Sequence, residues 1–186
     1  NTECRNFSHD ILKDIPGLVF RSNGKIVKNP EELIADLDSI PFPRWDLMPP
    51  TSYPKSPHGA FFRQFPYAAM YATRGCPFPC TFCAASKVSG KSIRHRSLEN
   101  IMEEIKLLRN NYGVKEIHFE DDNFSVKKKL LVEFCETLLK EDLNLTWCFP
   151  NGLRLEMLDL NDLRLMRRAG CYAVNVGYLR QRQNEA

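Results

Sequence analysis

Tyr67-Ala68-Ala69-Met70-Tyr71-Ala72-Thr73-Arg74-Gly75-Cys76-Pro77-Phe78-Pro79-Cys80-Thr81-Phe82-Cys83 decides how the chain is read. Ala68 to Thr73 reads as a strand, and a loop carrying three cysteines follows at once. Gly75 allows backbone angles closed to other residues, and Pro77 and Pro79 stiffen the turn. Such a loop has little helix or strand of its own and can wrap its backbone around a cluster. Three thiolates at C-x3-C-x2-C spacing can hold three irons of a 4Fe–4S cluster, which usually takes four cysteines. The fourth iron would then have no protein ligand. Cys4, Cys135, Cys148 and Cys171 are remote in sequence and could supply a fourth ligand only by tertiary proximity.

Other readings of the triplet compete. A structural zinc site usually pairs two C-x2-C knuckles, or cysteines with histidines. His9, His58, His95 and His118 have no zinc-finger spacing. A bacterial ferredoxin run has a first gap of two rather than three. A disulfide framework does not suit seven cysteines without a visible signal peptide.

Outward from the loop, strand and helix signals alternate. Ser97 caps a helix to about Asn111, with Leu98, Ile101, Met102, Ile105 and Leu108 on one face and Gly113 as its stop. Lys115 to Phe119 is a second strand. Ser125 is expected to cap a second helix carrying Leu130, Leu131, Phe134, Leu138 and Leu139. Leu145 to Phe149 is a third strand, Asp159 opens a third helix, and Ala173 to Gly177 is a fourth strand. Cys135, Cys148 and Cys171 are expected to be buried core thiols. This alternation predicts an α/β fold, a partial (β/α) TIM-like barrel of about four parallel strands. Sites in such sheets form at the C-terminal ends of the strands, where the cysteine loop falls.

Most of the twelve prolines lie before Tyr67. Gly17 to Val27 reads as a hairpin turning at Ser22-Asn23-Gly24. Asn29-Pro30-Glu31-Glu32 has the signals of a helix start, with the helix ending near Leu37. Pro41 to Pro57 reads as an extended connector. The expected division is a connector over 1–66 and the barrel portion over 67–186.

Hydrophobic residues are 43% and charged residues 26% of the chain, which suits a globular core. The net charge of +3 is too small to argue for a nucleic-acid groove. No apolar run approaches the ~20 residues of a membrane span. Free thiols without an export signal favour the cytoplasm.

Two further segments could carry chemistry. Glu120, Asp121 and Asp122 follow the second strand; adjacent carboxylates repel unless solvated or paired, and a solvated loop is the plain alternative. By strand alternation, His118 and Glu120 share one face, Ile117 and Phe119 the other. A satisfied interior role is the plainer reading of His118. Asn151-Gly152-Leu153-Arg154 follows the third strand, and Arg154 could clamp a carboxylate or lie on the surface.

The C-x3-C-x-aromatic-C signature at Cys76, Cys80, Phe82 and Cys83 resembles that of the radical S-adenosylmethionine (SAM) superfamily. The resemblance runs over roughly 12–177 and is strongest at 71–124. It implies that Cys76, Cys80 and Cys83 hold a 4Fe–4S cluster whose fourth iron is chelated by SAM. It places Phe82 by the adenine, and Glu120, Asp121, Asp122, Asn151 and Arg154 near SAM. After Gly177 the family's glutamate and serine are replaced by Tyr178-Leu179-Arg180. The segments Ile15–Arg21, Gly24–Val27 and Leu37–Pro43 resemble the connector that follows a cobalamin-binding domain. Cobalamin is therefore expected only through a domain missing from this chain.

The implied activity is reductive SAM cleavage to a 5′-deoxyadenosyl radical, for methyl transfer or cyclase-type chemistry. The implied partners are a small-molecule substrate and an electron donor such as flavodoxin or ferredoxin. Only about four strands fit before the sequence stops, so the chain is expected to be the first portion of a barrel, cut short. An exposed sheet edge would then lower its solubility. The alternative is a non-catalytic cluster- or zinc-binding module left by truncation. A methylthiotransferase acting on RNA would need a second cluster and an RNA-binding domain, and neither is visible.

Overall fold

The computed structural model describes residues 9–57 and 60–176. The chain forms two compact units, Asn1–Ala35 and Asp36–Ala186.

In the first unit, α1 (His9–Lys13) precedes the hairpin of β1 (Val19–Ser22) and β2 (Lys25–Lys28). Asn23 and Gly24 both take positive φ, 48° and 78°, as a two-residue turn matched to the strand twist requires. No helix forms over 29–37. The Asn29 side chain is used backward: its amide donates to the carbonyls of Leu12 and Ile15, both at 2.7 Å. Glu31 pairs with Lys28 instead of opening a helical turn.

The second unit begins at residue 36, earlier than the composition break at 66, because the proline-rich stretch is bonded to the elements that follow. The Asp38 carboxylate accepts from the Ser97 N–H at 2.9 Å. Trp45 Nε1 donates to Glu104 at 2.9 Å. The Arg63 and Gln64 N–H groups donate to Glu116. Short 3-10 turns at Leu37–Ser39 and Pro50–Ser52 punctuate an otherwise extended path.

Four strands form the parallel sheet in the order β3 (Tyr67–Met70), β6 (Glu116–Phe119), β7 (Thr146–Leu153), β8 (Cys171–Val176). The first expected strand is split. It leaves the sheet after Met70, and β4 (Thr73–Arg74) pairs antiparallel with β5 (Arg94–His95). Between them lie the cysteine loop and the short α2 (Ala85–Val88). The third strand runs four residues past its expected end, from Phe149 to Leu153, through Pro150. The register to β8 shifts there, and an irregularity of this kind is where a strand can carry proline.

α3 (Leu98–Tyr112) has the expected caps: the Ser97 hydroxyl accepts from Asn100 N–H, and Gly113 is left-handed. α5 (Leu160–Arg168) has a capping box between Asp159 and Asp162. α4 (Lys128–Glu141) is not capped by Ser125. A 3-10 turn, Phe124–Lys127, precedes it, and the buried Ser125 hydroxyl donates to Asn123 Oδ1 at 2.6 Å.

The core lies between sheet and helices. Phe119 is its centre, with Phe124, Phe134, Trp147 and Phe149 at ring-centroid distances of 5.4, 5.3, 6.0 and 5.7 Å. Cys135 and Cys171 belong to this core, and burial pushes both thiols up to about 12. Cys148 is also buried, as expected, but lies outside the contiguous apolar cluster. It alternates with Trp147 and Phe149, so it projects to the other face beside His118, its partner in β6. Among the described residues no helix is long and apolar enough to cross a membrane.

Phe119→Ala should destabilise the protein by about 3–5 kcal/mol, because its neighbours are aromatic rings that cannot collapse into the void. Urea unfolding would register this as a lower midpoint at an unchanged slope.

Candidate metal and cofactor site

β3 and β4 carry the chain to the C-terminal side of the sheet, and the loop there has no room to spare. Gly75 has φ 99°, and a Cβ on it would lie 2.3 Å from the Ser92 carbonyl oxygen and 3.1 Å from that of Gly90. The Cys76 N–H donates to the same Gly90 carbonyl at 3.0 Å. Further along, the Cys83 N–H donates to Cys80 O at 3.1 Å, and the Ala85 N–H reaches Cys83 Sγ at 3.5 Å. Cys76 is buried, Cys80 half-buried and Cys83 exposed.

Cys76 senses the charges around it. Burial raises the Cys76 pKa, a backbone hydrogen bond at Phe78 opposes the rise, and the charges of Asp122, Cys80 and Cys83 add to it. The negative charges that act on Cys76 repel its thiolate form, and cationic iron would relieve that repulsion. The donor set therefore fits three irons of a cluster. The other described cysteines are engaged elsewhere, Cys135 and Cys171 in the apolar core and Cys148 beside His118.

Asp121 and Asp122 grip the backbone that enters the loop. Asp121 Oδ1 accepts from the Thr73 N–H at 2.5 Å and the Thr73 hydroxyl at 2.6 Å. Both its oxygens lie 3.2 Å from the Ala72 N–H. Asp122 Oδ2 accepts from the Gly75 N–H at 3.2 Å. Burial pushes Asp121 up to about 6, against these hydrogen bonds, which favour its charged form. Both Asp121 oxygens thus face protein donors.

The remaining sequence candidates occupy distinct places. Glu120 donates its N–H to Met70 O at 2.9 Å, and its carbonyl accepts from Asn151 Nδ2 at 3.0 Å. The Arg154 guanidinium stacks 3.9 Å over the Phe78 ring, between two of the loop's cysteines, and pairs with Glu156. Phe82 is 72% exposed. Gly177 to Arg180 lie outside the described residues. The structure therefore gathers the three cysteines, Asp122 and Arg154 around one loop. It joins Glu120 to Asn151 and leaves Phe82 free at the surface. Sequence reading missed Thr73, Phe78 and the 89–92 shelf; a threonine directly before the Arg-Gly-Cys run was the only local signal.

Residues 70–178 match the radical SAM superfamily. The chain belongs to this superfamily. Over 167 residues it is 34% identical to an uncharacterized methyltransferase of Pyrococcus horikoshii, covering 89% of this chain and 34% of that one. It is 31% identical over 156 residues to the anaerobic magnesium-protoporphyrin IX monomethyl ester cyclase of Rubrivivax gelatinosus, covering 83% of this chain and 27% of the cyclase. The fold also resembles that of OxsB, a cobalamin-dependent S-adenosylmethionine radical enzyme solved with aqua-cobalamin and S-adenosylmethionine bound. The TM-score is 0.65 at 17% identity, over 87% of this chain and 24% of OxsB. The chain spans between about a quarter and a third of the length of the curated relatives it matches. Its radical SAM sheet has the TIM-like parallel order, with the cysteine loop after the first parallel strand.

Two outcomes test the geometry. Gly75→Ala should strip the chain of bound iron while leaving the far-ultraviolet circular dichroism unchanged, because the clash is confined to the loop and its shelf. Asp121 holds its proton up to about 6 when folded, against an ordinary value of 3.8. The stability contributed by the neutral form is therefore complete below pH 3.8 and lost as pH rises through 6. Denaturant unfolding of wild type and Asp121→Asn should diverge accordingly. The wild type should lose up to about 3 kcal/mol relative to the variant between pH 4 and 7.

Proposed function

We propose that the chain is the cluster- and SAM-binding part of a radical SAM enzyme that acts on a small molecule by methyl transfer or cyclase-type chemistry. The observation that carries this is the loop itself: three thiols on one loop at the C-terminal end of a parallel strand, graded from buried Cys76 to exposed Cys83. Reductive cleavage of SAM to methionine and a 5′-deoxyadenosyl radical is the chemistry the cluster supplies when bound.

The chain's own residues hold and orient. Cys76, Cys80 and Cys83 would ligate iron. Asp122 and Asp121 fix the loop entry, and the acidic run of Glu120, Asp121 and Asp122 would offer a hydrogen bond to the SAM amino group. Arg154, already stacked on the loop through Phe78, is suited to the SAM carboxylate by its planar fork. Asn151 ties the end of β7 to the end of β6, and exposed Phe82 offers a face for adenine. The methyltransferase and cyclase names of the relatives support the choice of chemistry.

Residues 1–66 act as a connector following a cobalamin-binding domain, and 67–186 as the barrel portion. The resemblance to OxsB supports this arrangement, and cobalamin would enter only through that further domain. An electron donor of the flavodoxin or ferredoxin kind would approach the Cys83 side. The free thiols of the described residues suit the reducing cytoplasm.

Anaerobic reconstitution with iron and sulfide should give a brown chain that forms 5′-deoxyadenosine from SAM with dithionite. Cys76→Ser should abolish both colour and product. Arg154→Ala should keep the colour and weaken SAM binding roughly 10- to 100-fold, the range of a lost charge-assisted pair. A colourless chain that holds zinc through these cysteines would overturn the proposal.

A further inference from the structure

A second constellation lies toward the N-terminal ends of the parallel strands, away from the cysteine loop. Glu116 opens β6 and His118 stands two residues on, so both point from the same face. Cys148 pairs with His118 in the register to β7, and Tyr172 is the second residue of β8. One ligand atom from each of Glu116, His118 and Cys148 lies within 4.8 Å of the other two, and all three residues are buried.

The contacts converge on one side. His118 Nε2 is 2.8 Å from Glu116 Oε1. The Tyr172 hydroxyl is 2.7 Å from the same Glu116 oxygen, 3.6 Å from Cys148 Sγ and 3.0 Å from the Phe61 carbonyl oxygen. A single hydroxyl proton thus faces three acceptors, and the spot is rich in lone pairs.

The outer contacts are those of a metal site's supports. The other Glu116 oxygen accepts from Gln64 N–H at 2.7 Å, Thr146 Oγ at 2.8 Å and Arg63 N–H at 3.0 Å, which fixes the carboxylate's orientation. Tyr67 stacks on the His118 ring at 4.8 Å and 8°, which fixes the imidazole plane.

The geometry points to a buried site for a divalent ion of the zinc class, held by Glu116, His118 and Cys148 with Tyr172 at its edge. Mixed oxygen, nitrogen and sulfur donors suit zinc, which takes all three in tetrahedral sites. Loading exchanges protons for the ion. The imidazole gives up its Nε2 proton and Cys148 its thiol proton, so one carboxylate and one thiolate balance the two positive charges. The ion would tie β6, β7 and β8 together at the end of the sheet opposite the cluster loop, beneath the 61–64 segment. The inference is independent of the SAM chemistry, since it uses none of the loop residues.

The probes are Zn2+ and Co2+. The reconstituted wild-type chain, dialysed after exposure to zinc sulfate, should retain one equivalent of zinc in addition to its iron by elemental analysis. The Cys76→Ser/Cys80→Ser/Cys83→Ser variant should lose the iron and keep the zinc. With Co2+ it should show thiolate-to-cobalt charge-transfer absorption. Adding Cys148→Ser should remove that absorption, and Thr146→Val should weaken metal binding roughly tenfold through the loosened carboxylate. A wild-type chain with no zinc beyond its iron would overturn the assignment, and this reading needs no variant to fold. So would cobalt absorption that survives Cys148→Ser.

Discussion

Two neighbouring carboxylates hold the entrance to the cysteine loop and fix where the chain turns into Cys76. Asp121 gathers the backbone and hydroxyl of Thr73 and the N–H of Ala72, and Asp122 takes the N–H of Gly75. The chain must leave the sheet after Met70, and those N–H groups would otherwise have no strand partner. Hydrogen bonds to a charged group contribute about 1.5–3 kcal/mol each, and they offset only part of the penalty of burying the charged Asp121, whose pKa stays raised. The acidic run thus acts first as a fastener between the end of β6 and the loop that follows β3.

β6 organises the molecule because it is buried on both faces. Ile117 and Phe119 seat the aromatic core beneath the helices. Glu116 and His118 face the other way and gather polar groups from β7, β8 and the 61–64 segment. A strand of four residues therefore carries core packing on one side, a polar cluster at one end and the loop fastener just past the other.

Much of this was legible in the sequence, and the gaps have physical causes. The caps at Ser97 and Asp159 and the stop at Gly113 were readable because each satisfies backbone groups within a few residues. The loop was readable because its spacing is local chemistry. Asn29 and Ser125 misled because their side chains serve partners other than the expected helix start: distant carbonyls for Asn29, Asn123 for Ser125. The fastening role of Asp121 was not legible because sequence shows charge but not the donors opposite, which lie 48 and 49 residues away. Cys148 is buried as its apolar neighbours suggest, but only the strand register turns it toward His118. The radical SAM assignment rested on the cysteine motif, and the fold agrees with it at the topological level.

The central claim is that this loop presents a cluster with one iron open to SAM. Electron paramagnetic resonance of the dithionite-reduced, reconstituted chain tests it most directly, because the signal reports ligation at the cluster itself. Addition of SAM should shift the g-values of the reduced cluster, and the shift should be absent with methionine-free adenosine. A spectrum unchanged by saturating SAM, from a cluster held by the three cysteines, would contradict the account.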